Sequence, residues 1–290
     1  MKRGIIVLLT FIATGIGATA QDVVVSSPDK QVQVKVTVQA GKPVYSVVFK
    51  GQTFLEPSPL GVATNVGDFS QQMTYVSHKE NRVEESYTLP SIKKSQVTYV
   101  ANELVTMLQN PGKQAIEIIF RVSNNDVAFR YKILRSGKPA ACLVLEKELS
   151  GFDFPQQTTT FLTPQATPMI GWERTKPSYE EEYTADAPLG APSKYGVGFT
   201  FPALFRIGAS GWALVSETGV SGAYCGSKLS EGTKEGLYTI AFPEPGKTTA
   251  SAALRQRWPS RPKHPGVPSR LAAACSRSLK PRSPPIWSNL

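Results

Sequence analysis

The sequence predicts an all-β protein, a large double-sheet sandwich of mostly antiparallel strands. Three observations carry that expectation. Apolar and polar residues alternate at period 2, as in Val32, Val34, Val36 and Val38, the pattern of a strand buried on one face. Turn signals built on glycine, proline and asparagine recur at short spacing. No stretch of about 12 residues holds a convincing 3.6-residue period, which argues against βαβ units and for a sandwich or barrel.

Taken in order, the chain begins with an export signal. Lys2 and Arg3 precede an apolar run from Ile5 to Ile12 with small residues after it, and Ala18-Thr19-Ala20 supplies a cleavage signature. The run stops at Gln21 and Asp22, short of the roughly 20 apolar residues that span a bilayer. Residues 1–20 are therefore read as a signal peptide, and the mature protein is expected to start at Gln21, exported to a periplasm or outside the cell. No cysteine follows the site and no second hydrophobic span follows it, so neither a lipid anchor nor any other membrane attachment is expected.

Strands then succeed one another. Val32 to Val38 is followed by a turn at Gly41-Lys42-Pro43 and a partner strand from Val44 to Phe49, which Gly51 ends. Ala115 to Val122 forms another strand, Asn124-Asn125-Asp126 turns, and Val127, Phe129, Tyr131 and Ile133 alternate on the next. Tyr195 to Ile207 and Trp212 to Ser216 read as a hairpin around Gly208 and Gly211. Gly196 and Gly198 fall inside that pattern, where they mark close packing or a kink rather than a phosphate loop.

The overall charge of +10 and a pI near 9.5 would suggest nucleic acid or an anionic surface, but the charge is uneven. Residues 245–290 carry nine Lys or Arg, no Asp or Glu, and eight of the 23 prolines. The rest of the chain has 23 basic against 22 acidic residues, so no nucleic-acid partner is expected of it. The tail reads as a disordered basic extension or as a segment written out of frame. Reading one base early from the last base of the Pro262 codon through Pro284, with only the first base of each codon free, the tail permits KTPWRTITVGSSLQPIVETTIP at positions 263–284, whose β-branched runs are those of a strand-rich body. The out-of-frame reading is the one we adopt.

Little conventional chemistry is present. Cys142, Cys225 and Cys275 show no zinc spacing, and His78 and His264 belong to no metal-like group. Cys142 and Cys225 read as buried free thiols or as a pair in an oxidising compartment. The informative segment is 169–190, an irregular stretch with Trp172 and Glu173 and then Tyr179, Glu180, Glu181, Glu182 and Tyr183. Successive carboxylates suit a hard cation such as calcium, and aromatic faces suit sugar rings, although such a run is also an ordinary solvated acidic loop.

The run from Trp212 to Ser230 (WALVSETGVSGAYCGSKLS), with Phe201 to Phe205 (FPALF) before it, resembles the N-terminal domain of glycoside hydrolase family 97, α-glucosidases and α-galactosidases of glycan-degrading bacteria. The opening strands and the Tyr179-Glu180 loop fit the same pattern, and so does the Thr-Pro-Trp-Arg-Thr-Ile stretch of the alternate frame. The resemblance implies a β-super-sandwich over residues 21–247, with 248–290 as the tail. It further implies a (β/α)₈ barrel and a small β domain after the sandwich. In that family the barrel carries both catalytic carboxylates, and the N-terminal domain lends one glutamate to a calcium ion at the active site. By position in the loop, Glu180 is the candidate calcium ligand, with Glu181 and Glu182 as fallbacks. Trp172 and Glu173 are the candidates to flank an α-linked oligosaccharide.

Glycoside hydrolysis takes two carboxylates about 5–9.5 Å apart, and a (β/α)₈ barrel takes about 250 residues. These 290 residues leave no room for it, so this chain alone is expected to be inactive, the barrel being its missing intramolecular partner. No catalytic residue is assigned. Two other readings stand beside this one. The first is a stand-alone carbohydrate-binding sandwich. The second is an interaction protein whose basic tail would bind anionic partners in a salt-dependent way. Glucoside against galactoside preference, and inverting against retaining chemistry, would be written in the barrel.

Overall fold

The computed structural model of the chain describes residues 21–89, 95–134, 142–166, 181–218 and 226–242, together with the backbone of 256–259 and 267–276. The expected signal peptide, Cys225, and the site candidates Trp172, Glu173 and Glu180 lie outside the described residues. Among the described residues there is no helix, hence none long and apolar enough to cross a membrane.

Twenty strands are present among the described residues. They begin with β1 (Val23–Ser26), β2 (Val32–Gln39), β3 (Lys42–Phe49), β4 (Gln52–Pro59), β5 (Val62–Thr64) and β6 (Gly67–Asp68). Longer strands follow: β7 (Thr74–Thr88), β8 (Gln96–Gln109), β9 (Ala115–Ser123), β10 (Asp126–Ile133) and β11 (Cys142–Glu148). Next come β12 (Gly151–Asp153), β13 (Thr158–Phe161), β14 (Ala187–Pro188), β15 (Ala203–Ile207) and β16 (Gly211–Glu217). The last are β17 (Lys228–Leu229), β18 (Leu237–Ala241), β19 (Gln256–Pro259) and β20 (Val267–Ser276). Neighbouring strands pair antiparallel throughout.

A nine-stranded sheet in the order β14-β13-β15-β16-β20-β10-β9-β8-β7 forms one layer. The sheet β1-β2-β3-β4 covers one half of its inner face, because every second residue of β2 (Val32, Val34, Val36) is buried by the alternation read from the sequence. Tyr45 of β3 crosses the gap and meets Phe120 of β9 and Phe129 of β10 at ring-centroid distances of 5.4 and 5.6 Å. Its hydroxyl donates to the Gly151 carbonyl at 3.0 Å, so the buried phenol is satisfied. The small sheet β12-β18-β17 covers the other half. There Phe205 of β15 stacks on Phe154 at 3.9 Å and meets Tyr238 of β18 edge-on at 5.4 Å. Each buried ring contributes about 2–3 kcal/mol by leaving water. A further sheet, β19-β11-β5-β6, is the fourth among the described residues.

Two local expectations differ in detail. The first hairpin turns at Ala40 and Gly41, both at positive φ (47° and 78°), one residue earlier than predicted, and Pro43 sits near the start of β3. The long strand expected from Tyr195 is confined to Ala203–Ile207. Residues 195–202 instead form an irregular crossing held by Glu231. Its Oε1 accepts the Gly198 N–H at 2.7 Å, its Oε2 accepts the Ser193 N–H at 2.9 Å, and the Ser193 hydroxyl also donates to it. Burial alone would raise the Glu231 pKa, but these donors hold it below the ordinary carboxylate value. Gly198 is at φ 89°, and a Cβ there would lie 2.1 Å from the Leu229 carbonyl oxygen, so only glycine fits. The close packing expected of this glycine is present, although not within a strand. Two strands, β19 and β20, lie beyond residue 247.

Candidate functional site

The acidic and aromatic loop returns to the described residues at Glu181 and runs along the outer face of β13, β15 and β16. Period-2 alternation makes that face. Thr160, Phe205 and Ala213 point into the core, so Thr159, Phe161, Arg206, Trp212 and Leu214 point out. The registers Thr159↔Arg206 and Arg206↔Trp212 then set three of them side by side in one row.

Asp186 ties the loop to this row. Its Oδ1 accepts the Thr159 hydroxyl at 2.7 Å and forms an ion pair with Arg206, whose Nε also donates to the Thr159 oxygen at 3.3 Å. The Arg206 guanidinium lies over the Trp212 ring, 5.9 Å from its centroid. Phe161 packs on Trp212 at 5.1 Å and on Tyr183 at 6.3 Å. Tyr183 is 58% exposed and Leu214 is 38% exposed. Ring faces beside a charged pair and a hydroxyl are the combination that meets a pyranose, whose C–H faces stack while its hydroxyls take hydrogen bonds.

Of the sequence-selected acids, Glu181 is buried, with its side chain 2% exposed. Tyr195 donates its hydroxyl to Oε1 at 2.9 Å, and Lys194 donates Nζ to Oε2 at 3.1 Å. The Glu181 carboxylate in turn raises the Lys194 pKa. Both oxygens of Glu181 are thus engaged, which suits it poorly to a cation that gathers 6–8 oxygens. Glu182 is exposed. Among the described residues no group of three or more His, Cys, Asp or Glu side chains converges. His78 is exposed, with its Nδ1 2.7 Å from the Tyr75 hydroxyl.

One acid is perturbed elsewhere. Glu148, at the end of β11, is pushed up to about 8, chiefly by burial, against a hydrogen bond from Ser150 and with the Glu217 carboxylate adding to the rise. Its partners are all internal. Gly61 N–H donates to the Tyr131 hydroxyl at 2.8 Å, that hydroxyl is 2.7 Å from Ser150 Oγ, and Ser150 donates to Glu148 at 3.0 Å. The chain of bonds links β10 and β11 within the core, a structural arrangement rather than an exposed catalytic acid.

The family model described as Glycosyl-hydrolase 97 N-terminal matches residues 25–270. The chain belongs to that family. A crystal structure of a beta-arabinopyranosidase superposes with TM-score 0.83 at 48% identity over 89% of this chain and 40% of its own. A family 97 enzyme from Pseudoalteromonas sp. strain K8, in complex with panose, superposes with TM-score 0.69 over 88% of this chain and 36% of its own. At 18% identity it supports the fold alone. A probable retaining alpha-galactosidase of Streptomyces bingchenggensis (strain BCW-1) is 26% identical over 234 residues, 80% of this chain. This chain spans 33% of the length of that relative. The all-β family 97 sandwich read from the sequence is therefore what the chain forms.

Sequence reasoning did not single out Phe161, Asp186 or Arg206. Alternation in Thr158–Phe161 and Ala203–Ile207 was the available signal, and it sorts inward from outward residues without saying which outward residues meet across strands.

Proposed function

We propose that this family 97 domain is the exported, sugar-flanking part of a glycosidase acting on α-linked glycosides, with the catalytic carboxylates outside these residues. The observation that carries the reading is the aromatic and ion-paired face of Tyr183, Phe161, Trp212, Arg206 and Asp186, onto which the acidic loop emerges. Galactose-configured substrates are favoured over glucose-configured ones. The names of two relatives, a beta-arabinopyranosidase and a probable retaining alpha-galactosidase, support this, since in the L series a β-arabinopyranoside has the ring stereochemistry of an α-D-galactopyranoside without its hydroxymethyl group.

Glu180 is the preferred donor of one carboxylate to a calcium ion, with Glu182 next and Glu181 last because its oxygens are occupied. When bound, calcium would supply positive charge beside the sugar. An unfolding midpoint that rises with added calcium, and no longer rises in Glu180→Gln, supports this. A rise that survives the substitution removes Glu180 from the role.

The same face favours a second reading, a carbohydrate-binding module that works alone. Calorimetric titration with α-galactosyl and α-glucosyl oligosaccharides separates the two. The flanking role predicts no saturable binding to this chain at about 1 mM sugar. The stand-alone role predicts saturable binding that is lost in Trp172→Ala and Tyr183→Ala.

A further inference from the structure

Strand β7 forms one end of the nine-stranded sheet. It pairs with β8 from Thr74↔Gln109 to Thr88↔Gln96, and no described strand lies against its other edge. At 15 residues it exceeds the roughly 3–10 residues usual for a strand. A free edge carries a row of N–H and C=O groups that template pairing with another chain, so natural edges are commonly short, bulged or covered. The one register slip in β7 lies at its beginning, between Tyr75 and Ser77, and the rest is regular.

Both the edge and the core-side face of this strand stand open. His78 and Glu80 lie across from Thr106 and Leu104, which are buried, and directly opposed residues share a face. Even so, His78, Glu80, Arg82, Glu84 and Ser86 are all exposed, so β7 overhangs the sheet that covers its neighbours. On the opposite face the strand is tied down. Asn81 donates to Glu103 at 3.1 Å, and Glu85 pairs with Arg121 at 3.2 Å.

The charges along β7 indicate what fits the edge. In an antiparallel pair of identical strands about a two-fold axis normal to the sheet, opposed residues share a face, so the axis passes through one residue of each copy. An axis at Lys79, Glu80, Arg82, Glu84 or Glu85 sets that charge against itself, which is unfavourable. An axis at Asn81 avoids this. It sets Glu80 against Arg82 of the second copy, and Arg82 against Glu80, and it sets each His78 ring against a Glu84 carboxylate. Lys79 then lies across from Val83, and Ser77 across from Glu85. Asn81 is also the midpoint of Thr74–Thr88, so the register of fullest overlap is the one in which the charges agree. An axis at Val83 keeps only the Arg82 and Glu84 oppositions, over a shorter overlap.

We infer that two copies of this chain pair through β7, antiparallel about Asn81, and join their nine-stranded sheets into one. Light scattering on the purified chain, coupled to size exclusion at about 100 µM, should give the mass of a dimer. Glu80→Arg and Arg82→Glu each place like charges opposite one another, and each should raise the dimer dissociation constant roughly tenfold or more. Combining the two reverses both charges, restores the opposition and should return the constant to near its original value. Glu80 and Arg82 are exposed, so thermal unfolding should show all four proteins equally folded. A monomer at this concentration, or a dimer indifferent to the single substitutions, would overturn the inference. So would a combined variant as weak as either single one.

Discussion

The buried acid Glu148 gives a sharp test of how the core is held. Its carboxyl is enclosed at the end of β11, with Ser150 donating at 3.0 Å and the relay through Tyr131 to Gly61 behind it. Burial raises it from an ordinary 4.5 to about 8, so the folded protein holds a proton there that the unfolded chain releases. The associated stability is fully present below about pH 4.5 and is lost as pH rises through about 8. At about 1.4 kcal/mol per pH unit the full span is about 5 kcal/mol, and about 3 kcal/mol of it is gone by pH 7. Glu148→Gln keeps the acceptor for Ser150 and copies the neutral acid without its titration. Urea unfolding of both proteins from pH 5 to 9 should show wild type losing stability relative to the variant on this slope, with the variant the more stable above neutrality. Parallel curves would show that Glu148 titrates normally and that the enclosed relay has been misjudged.

Three further outcomes follow from the same packing. Gly198→Ala should cost at least about 2 kcal/mol because its Cβ would meet the Leu229 carbonyl, whereas Gly196→Ala, with open space around it, should cost only about 1 kcal/mol from its positive φ. Equal losses in urea unfolding would remove the close approach as the cause. Glu103→Ala takes a 2.9 Å partner from Arg121, which is 4% exposed, and should cost about 2 kcal/mol, with Glu85 at 3.2 Å retaining part of the pairing. A loss under about 0.5 kcal/mol would place that pair with ordinary surface salt bridges. Tyr183→Ala should leave stability within about 0.5 kcal/mol, since the ring is mostly exposed, and any larger loss would mean the loop is a core element.

How far the sequence could be read depended on what each signal encodes. Period-2 alternation made β2, β9 and β10 legible almost to their ends, because burial on one face of a strand leaves a trace in neighbouring residues. It failed over Tyr195–Phe201, where Gly196 and Gly198 adopt positive φ and a distant carboxylate, Glu231, takes the backbone bonds that a sheet partner would have taken. Nothing local in GVGF distinguishes a strand from that crossing. The site was half legible. Tyrosines and acids stood out in the loop, but the Arg206–Asp186 pair and the meeting of Phe161 with Trp212 depend on strand order β13-β15-β16, which joins residues about fifty positions apart. The tail was read by composition and by a shift of frame, and neither says anything of the slot that β20 occupies.

The central claim is that these residues flank a sugar and do not cleave it. Hydrolysis of p-nitrophenyl α-D-galactopyranoside and α-D-glucopyranoside by the purified 290-residue chain measures this most directly. The account predicts release of p-nitrophenol no faster than in buffer with either substrate. Release that scales with the concentration of the chain would contradict it and place both catalytic carboxylates within the sandwich.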